Sequence, residues 1–406
     1  MKSVVILGST GSIGENALKV IKALPDHFRV VGLAASTKAE RIVEQAMEFD
    51  VKTIALEDGS AAESARLQAE RHGIKVLSGA DGVEQLAADD AGDIVLCALV
   101  GLAGLRPVIA AIEAGHDVAL ATKEVLVAAG GIVMELAARR GVNILPVDSE
   151  HSALFQCMQA HDLALACVRR GVQPSAKSLD SQIQRLLLTA SGGPFADNPG
   201  IDFEAVSVSE ALRHPRWKMG PKVTIDSATM MNKGFEILEA HWLFNVPVSR
   251  IDVVVHPESI VHSMVNFVDG STLAQLSDPD MRLAIQYALS WPERFNSDIA
   301  LVDLVAQGTL TFLPPDEKRF PCLRLIRKAA EIGGTMPAVM NAADEVAVSA
   351  FLQGKIRFAG IWRMIESIMF FHDVQPCDTL ECVLEADAWA REFANDILAL
   401  SAEYTD

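Results

Sequence analysis

The sequence lacks most of what marks a secreted, membrane-spanning or nucleic-acid-binding protein. It has no C-x-x-C: the six cysteines stand apart at positions 97, 157, 167, 322, 377 and 382. With no zinc-ligand spacing to histidine either, they are expected as reduced thiols in a reducing compartment. It has no apolar run near the ~18 residues a span requires; the longest, Ile94 to Leu105, contains two glycines and stops at Arg106. A leader is not expected, because Met1-Lys2-Ser3 runs at once into the strand-like Val4-Val5-Ile6-Leu7, which fits neither a signal nor a transit peptide. Positive charge is scarce, with 35 Lys and Arg against 53 Asp and Glu and a net charge of −18. No basic cluster offers the footprint that nucleic-acid phosphates need, and an anionic small molecule would have to be met by individually placed cations. A cytoplasmic protein without nucleic-acid or membrane partners is the expectation.

What is present is a chain of 406 residues, half of them hydrophobic and 22% charged, which suits a soluble globular protein of two or three domains. Val4–Leu7 reads as a strand, followed by Gly8-Ser9-Thr10-Gly11-Ser12-Ile13-Gly14 and a helical pattern closed by Pro25. Glycines in such a turn let the backbone approach a pyrophosphate, and the free N–H groups of the helix start favour its charge. The spacing is G-x-x-G-x-x-G, which a plain Gly/Ser turn would also satisfy. Strand and helix patterns then alternate: strands at Phe28–Ala34, Thr53–Leu56, Asp93–Ala98, Asp117–Ala121 and Asn143–Pro146, with helices at 38–49 and 61–72. This predicts a Rossmann-like doubly wound parallel sheet. The second strand ends in Ser36-Thr37-Lys38 with no acid for a ribose 2′-hydroxyl; Ser36 and Lys38, with Arg41 near by, suit a 2′-phosphate and point to NADPH. Lys123 and Glu124 follow another strand end, where open parallel sheets place ligands, although a charged pair opening a helix reads the same way.

Two acids organise the rest. Asp148 and Glu150 follow the apolar run Ile144-Leu145-Pro146, and on a strand they would project from one side. Further on, Ser191-Gly192-Gly193-Pro194-Phe195 is a second hydroxyl-and-glycine turn able to converge N–H groups on an oxyanion. Residues 213–220, which combine His214, Trp217 and basic side chains with Pro215 and Gly220, predict a mobile loop that folds over a ligand. In residues 226–236, Asp226 or Ser227 is expected to cap a helix running to Phe244, on which Asn232, Lys233 and Glu236 share a face at i,i+3 and i,i+4 spacing. Ser227, Asn232 and Lys233 would then hold a phosphate, and Glu236 would join Asp148 and Glu150 around a hard divalent ion, Mg²⁺ or Mn²⁺. A capped helix with an ordinary Lys–Glu pair is the plain alternative.

Gly8–Gly14, Pro146–His151, Ser191–Phe195, Asp226–Gly234 and His256-Pro257-Glu258-Ser259, in that order, resemble the motifs of 1-deoxy-D-xylulose 5-phosphate reductoisomerases, with similarity from Lys2 to about Arg391. The resemblance implies NADPH- and metal-dependent isomerisation and reduction of that sugar phosphate to 2-C-methyl-D-erythritol 4-phosphate. It assigns Asp148, Glu150 and Glu236 to the metal, and Lys123, Ser149, Ser191, His214, Ser227, Asn232 and Lys233 to the substrate. It assigns Thr10, Gly11, Ser12, Ile13, Glu124 and Gly220 to the cofactor, with Thr122 standing where the family usually has Asn and Val125 where it has Ser or Thr. Lys123, Asp148, Glu150 and Glu236 form the expected catalytic group, and a homodimer is implied.

The division expected is an NADPH-binding domain at 1–147, an α+β catalytic domain at 148–310 and a helical bundle at 311–406. The second contains strands at Ile251–Val255 and Ser263–Phe267 and a hairpin turn at Asp269-Gly270; the third contains four amphipathic stretches. Residues 158–180 read as a surface excursion. Another NADP-dependent dehydrogenase, or a non-catalytic NADPH-binding regulator, would explain the first domain but not the carboxylates and hydroxyls that follow.

Overall fold

The computed structural model describes residues 1–159, 182–196, 198–217 and 219–403, with side chains to residue 400. Most of the expected excursion at 158–180 lies outside the described residues. The chain divides into two compact units, each discontinuous in sequence: Met1–Val125 with Val133–Leu179 and Asp280–Leu301, and Leu126–Ile132 with Asp180–Pro279 and Val302–Asp406.

The first unit is built on β1 (Lys2–Leu7), β2 (Phe28–Ala35), β3 (Thr53–Leu56), β4 (Lys75–Ser78), β5 (Ile94–Cys97), β6 (Asp117–Leu120) and β7 (Ile144–Pro146). Among the described residues these form a wholly parallel sheet in the order β4-β3-β2-β1-β5-β6-β7. Val4, Val5, Ile6 and Leu7 are at most 1% exposed, as uninterrupted apolar strands must be when helices cover both faces. The sheet has one strand beyond the sequence expectation, β4, a four-residue edge strand with only partly buried positions, too short and too mixed to give a periodic signal.

The chain order reverses between β1 and β5, so the carboxyl ends of these strands open the crevice where such sheets bind ligands. Gly8 takes φ +90 there, and a Cβ on it would lie 2.4 Å from the Ala98 carbonyl oxygen beyond β5. Gly14 is excluded from substitution differently: its Cβ would come within 2.4 Å of the Gly8 oxygen and 2.5 Å of Ser9 Cα. The two glycines therefore fold the turn onto the sheet and bring the helix Ser12–Ala23 close behind it.

The second unit carries β8 (Ile183–Ala190), β9 (Ile251–Val255), β10 (Val261–Phe267) and β11 (Thr272–Leu276) in the order β11-β10-β8-β9. β8 and β9 run parallel and the other pairs antiparallel. The β10–β11 turn is the expected hairpin, with Gly270 at φ +87. Helices Cys322–Ile332, Met336–Leu352, Gly360–Phe371 and Leu380–Glu403 form the helical region, consistent with the four stretches predicted. Phe195, Phe320, Phe358 and Trp362 surround Phe203 with ring centroids 5.5–5.8 Å away, an aromatic core that fixes the segment after the Ser191 turn.

Two local expectations are corrected. Asp148 and Glu150 are not on a strand: β7 stops at Pro146, and the helix Ser149–Gln159 begins with Glu150 in its first turn. The Ser152 N–H donates to the Asp148 carbonyl at 2.8 Å, so the acids gather at a helix start, where the helix dipole favours them. Nor does Asp226 or Ser227 cap the helix to Phe244. Both lie in a separate helix, Pro221–Thr229, which has Gly220 at its N-cap and is broken from Met231–Phe244 by Met230 in the left-handed region at φ +63. That conformation is costly for a side-chain-bearing residue and persists where surrounding packing enforces it.

We expect Gly14→Ala to lower stability by about 1–3 kcal/mol through overpacking. Gly59→Ala, whose Cβ would meet only Ser78 Oγ at 3.9 Å, should stay within about 0.5 kcal/mol of wild type. Denaturant titration of both variants checks this; equal effects would contradict the role of the Gly8–Gly14 turn.

Candidate active site

In the first unit, the expected cofactor residues surround the β1 turn. Gly11 is the N-cap of Ser12–Ala23 and supplies no side-chain cap, so the first N–H groups of the helix face outward for an anion. Gly11 and Ser12 are exposed; Thr10 and Ile13 are half-buried. Ser36 and Lys38 lie exposed just beyond β2, and Lys38 Nζ donates to the Thr10 carbonyl at 3.1 Å. Arg41 is occupied elsewhere: its Nε and Nη2 each donate to Glu15 at 2.8 Å, and Nη1 reaches Glu44 at 3.1 Å. This fork-to-carboxylate clamp leaves Lys38 as the cation beside the turn. Thr122 is buried and turns inward, its hydroxyl donating to the Leu99 carbonyl at 2.5 Å.

Lys123 and Asp148 follow β6 and β7, adjacent strands, and their side chains meet at 2.5 Å, each 12% exposed. Burial would raise the Asp148 carboxyl, but the Lys123 ammonium and the His151 ring outweigh it and hold it well below the usual carboxylate range. His151, fully buried, has Nδ1 at 3.7 Å from Asp148 Oδ2. Asp148 and Glu150 offer carboxylate oxygens within 4.8 Å of each other, and Ser149 Oγ donates to Glu150 Oε2 at 2.6 Å. Glu124 is nearly buried in the first turn of Glu124–Arg140.

In the second unit, Asn232 Nδ2 donates to Glu236 Oε1 at 2.6 Å and Lys233 Nζ pairs with Glu236 Oε2. Lys233 is 4% exposed and Glu236 fully buried. The i,i+3 and i,i+4 spacing thus places all three together, as expected. Ser227 is half-exposed between buried neighbours. The Ser191 turn packs against it: Gly193, at φ +68, comes so near that a Cβ would lie 2.6 Å from the Ser227 carbonyl oxygen.

His214 joins the same cluster. Its Nδ1 accepts from the Trp217 N–H at 2.9 Å and the Arg216 N–H at 3.2 Å, which leaves the proton on Nε2 to donate to Ser191 Oγ at 2.9 Å. Burial pushes the ring down to about 4. The sequence suggests a basic residue ready to offset phosphate; the structure holds a neutral imidazole whose Nε2–H and the Ser191 hydroxyl form a donor pair. Of the loop at 213–220, Lys218 lies outside the described residues, and Gly220 is exposed at its end.

Sequence reasoning assigned no role to two residues that the structure makes prominent. One is His151, whose position three residues after Asp148 at a helix start was the available signal. The other is His256, whose Nε2 accepts from the N–H groups of Ile260 and Val261, both at 3.1 Å, and whose Nδ1 donates to the Thr311 carbonyl at 2.8 Å. It ties β9 to the start of β10 and carries no reactive group toward the Ser191 turn.

A doubly wound sheet with an open helix N-terminus at its switch point is the architecture of dinucleotide-binding proteins, and here it is joined in one chain to carboxylate–lysine and hydroxyl–imidazole clusters. Three family models match: 1-deoxy-D-xylulose 5-phosphate reductoisomerase over residues 4–130, its C-terminal domain over 144–244, and the DXP reductoisomerase C-terminal domain over 276–393. The reductoisomerase of Symbiobacterium thermophilum is 49% identical, covering 97% of this chain and 98% of its own, and that of Chlorobaculum tepidum is 46% identical over 98% and 100%. A crystal structure of DOX-P reductoisomerase in complex with NADPH, fosmidomycin and magnesium is 38% identical, with TM-score 0.90, covering 98% of this chain and 99% of that one. The Zymomonas mobilis enzyme in complex with NADPH is 36% identical with TM-score 0.87, with the same coverage. The chain belongs to the 1-deoxy-D-xylulose 5-phosphate reductoisomerase family.

His214 has a pH signature. An unfolded imidazole titrates near 6.5 and the folded one near 4, so between these values the unfolded chain binds more protons. The His214 contribution to stability is complete above about pH 6.5 and is lost as pH falls toward 4. Thermal midpoints measured across that window should fall less steeply for His214→Asn than for wild type. Parallel curves would contradict the neutral, buried imidazole.

Proposed function

We propose that this chain converts 1-deoxy-D-xylulose 5-phosphate, NADPH and a proton to 2-C-methyl-D-erythritol 4-phosphate and NADP⁺, with a divalent metal ion, in isoprenoid precursor biosynthesis by the non-mevalonate route. The observation that carries this reading is the paired design of the acids. Asp148 is held by Lys123, and Glu236 by Lys233 and Asn232, in a family with a member crystallised with NADPH, fosmidomycin and magnesium. The donor chemistry fits such an ion: Asp148, Glu150 and Glu236 are hard oxygen ligands suited to Mg²⁺ or Mn²⁺, and no thiolate is among them. When bound, the dication supplies Lewis acidity at the ketone and its adjacent hydroxyl while the skeleton rearranges to an aldehyde, and NADPH supplies the hydride that reduces it.

The chain's own groups orient the reactants. Ser149, Ser191, Ser227, Asn232 and Lys233 present donors to the sugar phosphate, and His214 offers Nε2–H beside Ser191, a bond that a phosphate oxygen can share. Lys123 holds a proton at Nζ within reach of the substrate oxygens. Thr10, Gly11, Ser12 and Ile13 receive the pyrophosphate, and Ser36 and Lys38 the 2′-phosphate; Thr122, Glu124 and Gly220 line the nicotinamide side. On this reading residues 1–147 serve the cofactor, 148–310 the metal and substrate, and 311–406 support the second group.

A cytoplasmic homodimer completes the proposal. The partly exposed strand β11 is the edge of its four-stranded sheet, and an unpaired edge is a ready template for a second chain. Among the described residues, no helix is long and apolar enough to cross a membrane.

Loss of NADPH absorbance on adding 1-deoxy-D-xylulose 5-phosphate, with and without Mg²⁺, tests the assignment. Turnover is expected only with the metal, and its absence in both arms would refute the function. Glu150→Gln should abolish turnover yet bind NADPH within about twofold of wild type; equal loss of both would make the acid structural.

A further inference from the structure

Beneath the helix Pro221–Thr229 lies a buried polar cluster that the reaction does not use. Lys222 Nζ stands 2.7 Å from Asp226 Oδ2, one turn on in the same helix, and 3.2 Å from Asp344 Oδ2 on the helix Met336–Leu352. It also lies 4.6 Å from the centroid of the Phe235 ring on Met231–Phe244. One ammonium therefore joins three helices. The side chains of Lys222, Asp226 and Asp344 are 15%, 2% and 0% exposed, so the contact is screened little and its loss would strand charge in the interior.

The position of this cluster matters more than its strength. Lys222 is the second residue of its helix, directly after Gly220 at the end of the His214 loop. Asp226 is followed by Ser227. Thr229, at the helix end, accepts from the Met231 N–H through Oγ1 at 3.3 Å and donates to the Asp226 carbonyl at 3.1 Å, so it clasps the left-handed break at Met230. Asn232 and Lys233 begin the next helix. Ser227 thus lies on the helix that this cluster fastens, and Asn232 and Lys233 lie on the helix whose Phe235 ring meets Lys222.

The cluster has a further chemical property. Two carboxyls face one ammonium, so the cluster holds more acid than base. Burial raises the Asp344 carboxyl from its ordinary value against the opposing pull of Lys222. The neighbouring groups do not undo this. Glu345 is held by Arg391 at 2.6 Å, and the Cys322 thiol, pushed up by burial, stays neutral.

We propose that Lys222, Asp226 and Asp344 form a positioning cluster, one ammonium between two carboxyls, that sets the Ser227–Lys233 segment for the phosphate end of the substrate. The proposal rests on the functional reading above for what the segment binds, but not for the fastening of the helices.

Four variants assayed in the full-length enzyme test it. Asp344→Asn keeps the side-chain size and leaves Asp226 paired with Lys222, so KM for the sugar phosphate should rise less than in Lys222→Met. Lys222→Met should raise KM for 1-deoxy-D-xylulose 5-phosphate about tenfold or more by displacing the segment, with KM for NADPH within about twofold. Lys222→Arg, which keeps the cation, should recover most of that loss. The double variant Asp226→Asn with Asp344→Asn leaves Lys222 without a carboxylate and should cost more than the two single changes together. If Lys222→Met does not fold, the Arg and double variants carry the same comparison. A Lys222→Met enzyme with lowered stability but unchanged sugar-phosphate KM would overturn the positioning role. Thermal midpoints need no turnover. That of Lys222→Met should fall and that of Lys222→Arg should stay near wild type, and an unchanged midpoint in Lys222→Met would overturn the fastening even if the enzyme acts on another substrate.

Discussion

A carboxylate removed from water must be met by a cation or by several donors, because an isolated buried charge costs several kcal/mol. That constraint governs this chain at each place where chemistry is expected. Asp148 has Lys123 and Glu236 has Lys233, while Asp226 and Asp344 share Lys222. The Lys123 ammonium and the His151 ring hold the Asp148 carboxyl well below its usual range, the state in which a carboxylate can also ligate a hard dication, and Lys233 with Asn232 orients Glu236. In the third, one lysine serves two acids. A net charge of −18 thus coexists with an interior in which cations are placed one at a time.

The scaffold follows from demands of the same kind on the backbone. The parallel sheet buries its apolar strands on both sides and delivers Lys123 and Asp148 to adjacent strand ends. Four positive-φ residues sit where the chain reverses near a proposed ligand: Gly8 beyond β1, Gly192 and Gly193 beyond β8, and Met230 between the two helices that carry Ser227 and Lys233. Each lets a backbone segment approach more closely than a side chain would permit, or turns a helix so that residues on both sides of the break come into use.

Much of this was legible in the sequence, for identifiable reasons. The strand–turn–helix order at the start, the alternation that follows and the helical C-terminal stretches depend on local periodicity, and the structure has them. The Asn232–Lys233–Glu236 grouping was readable because helix spacing fixes it. What escaped depended on partners remote in sequence or on chain direction. The acids at 148 and 150 looked like alternate positions of a strand because Pro146 does not announce that the strand stops there. The capping expectation at Asp226 failed because a left-handed Met230, which nothing in the local composition demands, splits one apparent helix into two. Arg41 looked available for a 2′-phosphate until Glu15, 26 positions away, was found to hold it. Asp344 gains its meaning only from its approach to Lys222, which comes from another part of the chain.

The central claim of the proposed function is that Asp148, Glu150 and Glu236 are the ligands of one dication. Anomalous scattering from crystals grown with Mn²⁺ tests it most directly. The account predicts one strong peak per chain, coordinated by all three carboxylates, and its disappearance in Glu236→Gln crystals. A peak ligated by other residues, or one that survives that substitution unchanged, would contradict it.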